Sequence, residues 1–224
     1  MVDKEDIEKI FSNLLNTYTV KCSPKSDAMD SYDVNDYPIS GDNDSINDSW
    51  VNQNEYQSNN VEYTRQEANY VHYYGKNTYD VINNMLWDTD KWKDGVESGL
   101  YDEQEWYDEM VNGLDSVISK SVIQENTTVF RGGQLPKGLK VGDHSVLKGY
   151  TSTSYNPNRA REFQGVSDGR YNITIRVPKG AHGVLFNDQF DTFTESELLI
   201  GRNQKFVVLN IDNNSMEAEI LLYD

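Results

Sequence analysis

ISKSVIQENTTVFRGG, residues 118–133, is where the apolar pattern of the chain changes period. Before it, Trp106, Met110, Leu114, Val117 and Ile118 recur at helical spacing and predict a helix over residues 101–120. From it onward, short β-rich runs take over: TTVFRG (127–132), GYTSTS (149–154), YNITIRV (171–177), GVLF (183–186), ELLI (197–200), KFVVLNI (205–211) and AEILLY (218–223). Gly, Pro, Asn and Asp separate them, as turns between strands require. One short helix interrupts the series, because Asn156 and Pro157 are good first-turn residues for NRAREF (158–163). Helices first and strands after predict an α+β domain rather than an alternating parallel fold.

Two more helices precede this stretch. In TRQE (64–67), Thr64 and Glu67 form a capping box; Ala68, Val71 and Tyr74 follow on one face, and Gly75 is expected to stop the helix. Thr78 can then cap YDVINNMLW (79–87), which places Tyr79, Ile82 and Leu86 on one side. Further upstream, Ile7, Ile10, Phe11, Leu14 and Leu15 predict a short amphipathic helix over residues 4–16. From Lys21 to Asn60 the chain is rich in Asp, Asn and Ser with few aliphatics, a composition too poor in buried surface to offset ordering entropy. Residues 1–60 therefore read as an acidic extension, a short helix and then linker, and residues 61–224 as the ordered domain.

Charge and composition exclude several classes of function. The formal net charge is −17 over 224 residues, and residues 1–60 alone hold 12 Asp and Glu against 4 Lys and Arg. Such a surface is unsuited to phosphate backbones, whose binding depends on Lys and Arg, so a nucleic-acid partner is not expected. The single cysteine, Cys22, allows no internal disulfide, and three scattered histidines show no ligand spacing, so no structural metal is expected. No apolar run approaches the roughly 20 residues that span a bilayer, and the acidic N-terminus lacks a signal-peptide pattern. The expected compartment is the cytoplasm, of a bacterium or a phage-infected host, with export by a route that leaves no such signal kept open.

The chemistry is expected in the strand-rich half. Arg131 ends one β run, three hydroxyls of Ser152, Thr153 and Ser154 follow in another, and Glu195 and Glu197 sit two apart before ELLI, where a strand would put both carboxylates on one face. Two other E-x-E triplets compete, Glu103 with Glu105 in a predicted helix and Glu217 with Glu219 before the last aliphatic run. Read singly, Arg131 could be a structural ion-pair partner and the hydroxyls an edge strand favoured by β-propensity alone.

In combination and in this order, an arginine, an S-T-S strand, a helix and an E-x-E strand resemble the mono-ADP-ribosyltransferases of the arginine-serine-glutamate class, which include bacterial binary toxins and phage enzymes. YGKNTYDVINNMLW (74–87) also looks like the helical stretch those enzymes place before their first motif. The resemblance covers residues 60–224. It implies two packed, mostly antiparallel sheets forming a cleft for NAD, which is the substrate, and a target protein with an exposed arginine as acceptor. Arg131 would hold the NAD pyrophosphate, Gly132 the nicotinamide amide, Ser152 would orient Glu197, Thr153 and Ser154 would support the strand and pocket floor, and Phe163 would stack on nicotinamide. Glu197 would bind the nicotinamide ribose and stabilise its developing positive charge, Glu195 would face the acceptor arginine, and Phe190 or Phe193 would shape the acceptor loop. Two features depart from the family pattern: LLIGRN (198–203) where members often carry a Pro-Arg pair, and the acidic first 60 residues. An NAD glycohydrolase, a nucleic-acid-directed transferase and a non-catalytic acidic protein bound to a basic partner remain alternatives at this stage.

Overall fold

The capping box forms at Thr64. In the computed structural model, which describes residues 61–88, 104–164, 170–186 and 197–223 together with Lys93 and Glu97, the backbone N–H of Glu67 donates to Thr64 Oγ1 at 3.2 Å and that of Thr64 donates to the Glu67 carboxylate at 2.9 Å. These bonds start helix α1, Arg65–Tyr73. Lys120 reaches the same carboxylate at 2.6 Å, and its hydrogen bond, with that of the Thr64 backbone, holds the Glu67 carboxyl below its ordinary range. One glutamate thus caps α1 and ties it to the end of a distant helix.

Gly75 does not stop the helix. It avoids the left-handed conformation of a helix-ending glycine, and the chain instead makes one π-helical turn, Tyr74–Thr78, before continuing as α2, Tyr79–Trp87. The Thr78 hydroxyl donates to the Tyr73 carbonyl at 3.0 Å and makes no cap for α2, contrary to expectation. The wider turn has a geometric consequence. On a straight α-helix, residues nine apart point about 180° away from each other, yet here Tyr74 and Asn83 meet, the Asn83 amide donating to the Tyr74 hydroxyl at 3.0 Å. Helix α3, Gln104–Lys120, follows with Met110, Val111, Leu114, Val117 and Ile118 buried at the predicted spacing.

Eight strands and one helix complete the described chain: β1 (Thr127–Gly133), β2 (His144–Leu147), β3 (Thr151–Ser154), α4 (Pro157–Gln164), β4 (Tyr171–Val177), β5 (Gly183–Leu185), β6 (Glu197–Ile200), β7 (Gln204–Asp212) and β8 (Glu217–Tyr223). Strand β2 lies in a stretch that shows no β-rich run in the sequence. The order across the sheet is β2-β7-β8-β4-β1-β3-β6-β5, antiparallel throughout except for the parallel β4–β8 pair. The fold is thus α+β and mostly antiparallel, as expected. Its strands form one hydrogen-bonded ladder where two sheets were expected, but the ladder has a seam: β1 and β3 share a single register pair, Phe130 with Ser154. Five strands lie on one side of that seam and three on the other.

Burial follows from this division. One core contains Val129, Ile173, Ile175, Phe206, Val208 and Ile220 from the five-strand block together with Leu185, Leu198 and Ile200 from the three-strand block. A second core joins Leu199 and Val184, on the opposite face of the three-strand block, to Val71, Ile82, Leu114 and Val117 of the helices. The three-strand block is therefore covered on both faces, which explains why ELLI is an unbroken apolar run rather than an alternating one. Burying each such Leu or Ile contributes roughly 1.5–3 kcal/mol.

The competing triplet Glu217-x-Glu219 belongs to β8 and has a structural role. Glu219 accepts from Nε of the buried Arg176 at 2.7 Å, while Nη1 of Arg176 donates to Thr128 at 2.7 Å. Taking away one partner of a buried ion pair leaves a charge uncompensated. Glu219→Ala is therefore expected to destabilise the domain by about 2–4 kcal/mol in urea denaturation, whereas Glu217→Ala, at an exposed position, stays within about 0.5 kcal/mol. Equal effects would contradict this assignment.

Candidate active site

Arg131 follows the seam residue Phe130 in β1, and its guanidinium crosses to the other block, Nη1 donating to the Ser152 carbonyl at 2.6 Å. A short charge-assisted bond of this kind is among the stronger ones available to a protein. The side chain is partly buried; burial pulls its pKa down, the Tyr74 hydroxyl and the Glu197 carboxylate pull it back up, and Arg170 adds to the lowering. Because a guanidinium starts above about 12, Arg131 keeps its charge.

The β3–β6 register places the remaining groups. Ser152 pairs with Leu199 and Ser154 with Glu197, so the two serines share a face with Glu197. Ser154 lies directly opposite Glu197, and Ser152 one pleat further along. Thr151 and Thr153 point the other way, into the core between the strand blocks. Thr153 donates its hydroxyl to the Leu198 carbonyl at 2.7 Å, so it fastens β3 to β6 from behind and does not face the cleft as a cofactor contact would. Ser154 accepts the backbone N–H of Asn156 at 3.0 Å, which shapes the entry to α4.

Tyr74, which sequence reasoning assigned only to a helix face, reaches the centre of this arrangement. Its hydroxyl donates to the Tyr150 carbonyl at 3.5 Å and lies near enough to Arg131, Ser152 and Glu197 to feel them; burial pushes its pKa up to about 12 against the lowering effect of Arg131. Asn83 donates from the same amide nitrogen to Tyr74 at 3.0 Å and to the Tyr150 carbonyl at 3.2 Å. The Tyr74 and Tyr150 rings pack edge to face at 5.7 Å. Tyr150 is anchored in turn: its hydroxyl donates to Asp115 at 2.7 Å, and Asp115 holds Arg202 in a two-pronged bridge at 3.0 and 2.8 Å. Burial, then the Asp115 hydrogen bond, raise the Tyr150 pKa, and the hydrogen bond to Asp115 raises that of Arg202. Arg202 is the arginine of LLIGR, where the sequence departs from the expected Pro-Arg pair; it ties the turn after β6 to α3, while Tyr150 ties the start of β3 to the same carboxylate.

Two glycines are dictated by packing. A Cβ on Gly132 would strike the Ala160 carbonyl and the Gln164 amide, because α4 crosses β1 there with backbone against backbone. A Cβ on Gly149 would strike the side-chain amide oxygen of Asn83, Oδ1, and come within 2.7 Å of Trp87 Nε1. Phe163 stands on α4 with half its surface exposed, and its carbonyl accepts from Arg170 at 3.1 Å. Glu195, Phe190 and Phe193 lie outside the described residues, as do residues 1–60.

The structure thus brings together Arg131, Ser152, Ser154 and Glu197 from three strands, adds Tyr74 and Arg170, and seats Gly132 and Phe163 beside them. A guanidinium, a hydroxyl pair and a carboxylate around one seam can bind an anion on one side and a polyol on the other.

Comparison with known proteins bears on the family and the fold. The sequence model of the ADP-ribosyltransferase exoenzyme family matches residues 47–222. A stretch of 116 residues, 50% of this chain, is 30% identical to the NAD(+)–arginine ADP-ribosyltransferase EFV of Enterococcus faecalis, and covers 23% of that relative's length. Among solved structures, Vis, an ADP-ribosyltransferase toxin of Vibrio splendidus, in complex with agmatine superposes with a TM-score of 0.56 at 22% identity, covering 78% of this chain and 79% of Vis. C3stau2 of S. aureus with NAD gives 0.52 at 18% identity, over 73% and 89%. At these identities the structural likeness is one of fold.

Truncating the supports tests the geometry independently of any reaction. Asn83→Ala removes the amide donor shared by the Tyr74 hydroxyl and the Tyr150 carbonyl, which keeps only the 3.5 Å bond from Tyr74, and is expected to cost about 1–3 kcal/mol; Asp115→Asn, in a partly exposed bridge, about 1 kcal/mol or less. Gly132→Ala forces α4 away from β1 and is expected to cost about 1–3 kcal/mol. Chemical denaturation checks all three, and a harmless Gly132→Ala would contradict the close crossing.

Proposed function

The chain belongs to the ADP-ribosyltransferase exoenzyme family, and from that premise we propose that it transfers ADP-ribose from NAD to arginine side chains of a target protein, releasing nicotinamide. The observation that carries this reading is the convergence of Arg131, Ser152 and Glu197 at the seam. The activity in the name of the Enterococcus relative and the agmatine held by Vis, a small guanidine, support arginine as the acceptor.

Each residue then has a chemical part. Arg131 grips the pyrophosphate with its fork of donors, and Arg170, close enough to perturb it, adds a second positive charge. Phe163 offers an exposed ring for stacking on nicotinamide. Glu197 accepts hydrogen bonds from the nicotinamide ribose, aligned by Ser154 across the ladder and by Ser152 and Tyr74 behind it. In the reaction the bond from the ribose C1′ to the nicotinamide nitrogen breaks and its electron pair stays with nicotinamide. That ring is cationic while attached and leaves neutral, so the step needs no general acid.

Positive charge grows on the ribose in an oxocarbenium-like state, and a fixed carboxylate stabilises it where it forms. The acceptor guanidinium is no nucleophile while protonated; Glu195 binds it and takes the proton as its nitrogen attacks C1′. Atoms balance: ADP-ribose moves to arginine, and neutral nicotinamide and one proton are released.

The acidic surface favours protein over nucleic acid as acceptor, since little positive charge is available to hold phosphates. Transfer from labelled NAD to agmatine, and NAD hydrolysis in its absence, test the division of roles. Glu197→Gln is expected to lower both by about 10²–10³-fold, and Glu195→Gln to abolish transfer while hydrolysis persists. Arg131→Lys is expected to raise the NAD KM by about tenfold, because an ammonium lacks the two-pronged grip. Equal loss of both activities in both glutamate variants would contradict the assignment.

A further inference from the structure

Away from the cleft, a groove of about 190 Å³ lies between α1 and α3, lined by Gln66, Tyr70, Tyr73, Trp106, Glu109 and Met110. It is smaller than the roughly 300–1,000 Å³ of small-molecule pockets, a size for one or two side chains. Its walls are aromatic and fixed. Tyr70 lies flat against α3 where Gly113 has no side chain; a Cβ there would strike its ring, although a mid-helix glycine costs about 1 kcal/mol relative to alanine. The Tyr70 hydroxyl accepts from Gln66 at 2.8 Å and donates to Glu109 at 3.0 Å, which holds that carboxylate at the groove. Trp106 is braced edge-on by Tyr107 at 4.8 Å, and Tyr73 by His72 at 5.8 Å, while Tyr73 keeps 54% of its surface exposed.

Among the described residues the α3 wall of the groove is acidic, while the α1 wall begins with Arg65. The first half of α3 carries Glu105, Asp108 and Glu109 with no Lys or Arg, and the basic residue at the end of the helix, Lys120, is engaged by Glu67. Three aromatic rings beside a fixed carboxylate match a guanidinium, which stacks on ring faces and donates to carboxylates with the same planar group. A chain of net charge −17 also steers basic partners toward itself.

We propose that the α1–α3 groove is a docking site for an arginine-bearing basic segment of the acceptor protein, separate from the arginine that is modified. The proposal rests on the arginine-directed reading for the identity of the partner. The two regions share one helix run: Tyr73 lines the groove, and the hydroxyl of Tyr74, the next residue, feels Arg131, Ser152 and Glu197 at the seam.

The test separates docking from chemistry. An arginine-rich synthetic nonapeptide is titrated calorimetrically, without NAD, into the full chain carrying Glu197→Gln. Binding is expected, weakening with salt, and Tyr73→Ser or Glu109→Gln is each expected to weaken it about threefold to tenfold, the range of one cation–π contact or exposed ion pair. With Glu197 restored, Tyr73→Ser is expected to leave the agmatine KM unchanged and to raise that of the peptide.

Peptide affinity unchanged in both groove variants would overturn the proposal. So would equal binding of an acidic peptide, or a groove variant that abolishes self-association in size-exclusion chromatography, which would assign the face to a second copy of the chain. Failure of all NAD turnover with groove-dependent peptide binding intact would refute the catalytic reading and leave the docking site standing.

Discussion

The seam between β1 and β3 is the constraint on which the rest of the structure depends. Two strands joined by a single register pair cannot hold two blocks of sheet in a fixed relation by their ladder alone. The Arg131 guanidinium supplies a second bond across the gap, to the Ser152 carbonyl, and the core shared by Ile173, Leu198 and Ile200 fills the space behind it. Because the seam interrupts the ladder, side chains can converge there from both blocks. A continuous sheet would have filled that space with paired backbone.

The carboxylate is placed by register and the hydroxyls by alternation. Glu197 stands opposite Ser154, and the side chains of β3 divide between two tasks, the serines facing the carboxylate and the threonines facing the core. Four hydroxyls in a row thus serve one strand that is polar on one side and bonded into the sheet on the other. Behind them, Tyr74, Asn83 and Tyr150 form a second layer, held at its far end by the Asp115–Arg202 bridge, so the floor of the cleft is fastened to both α3 and the turn after β6.

Much of this was legible in the sequence, for identifiable reasons. The capping box at Thr64, the helical spacing of α3 and the change of period after Ile118 are local signals with local causes, and the elements formed where they pointed. Arg131, Ser152 and Glu197 were legible through their order along the chain. What escaped was non-local. Nothing in HSVL marks β2, an edge strand that depends on its pairing with β7. The π turn at Gly75 could not be read because a glycine in that position ordinarily ends a helix, and the part played by Tyr74 follows from that turn. The close crossing at Gly132 and the seating of Tyr70 on Gly113 are contacts between distant segments, and a single glycine in a sequence does not say what will press against it.

The measurement that bears most directly on the central claim is a crystal structure of the Glu197→Gln variant, which should turn over slowly, grown with NAD. The account places the pyrophosphate on the Arg131 guanidinium and the hydroxyls of the nicotinamide ribose within hydrogen-bonding distance of residue 197. NAD bound elsewhere, or seated at the seam with its ribose turned away from β6, would contradict it.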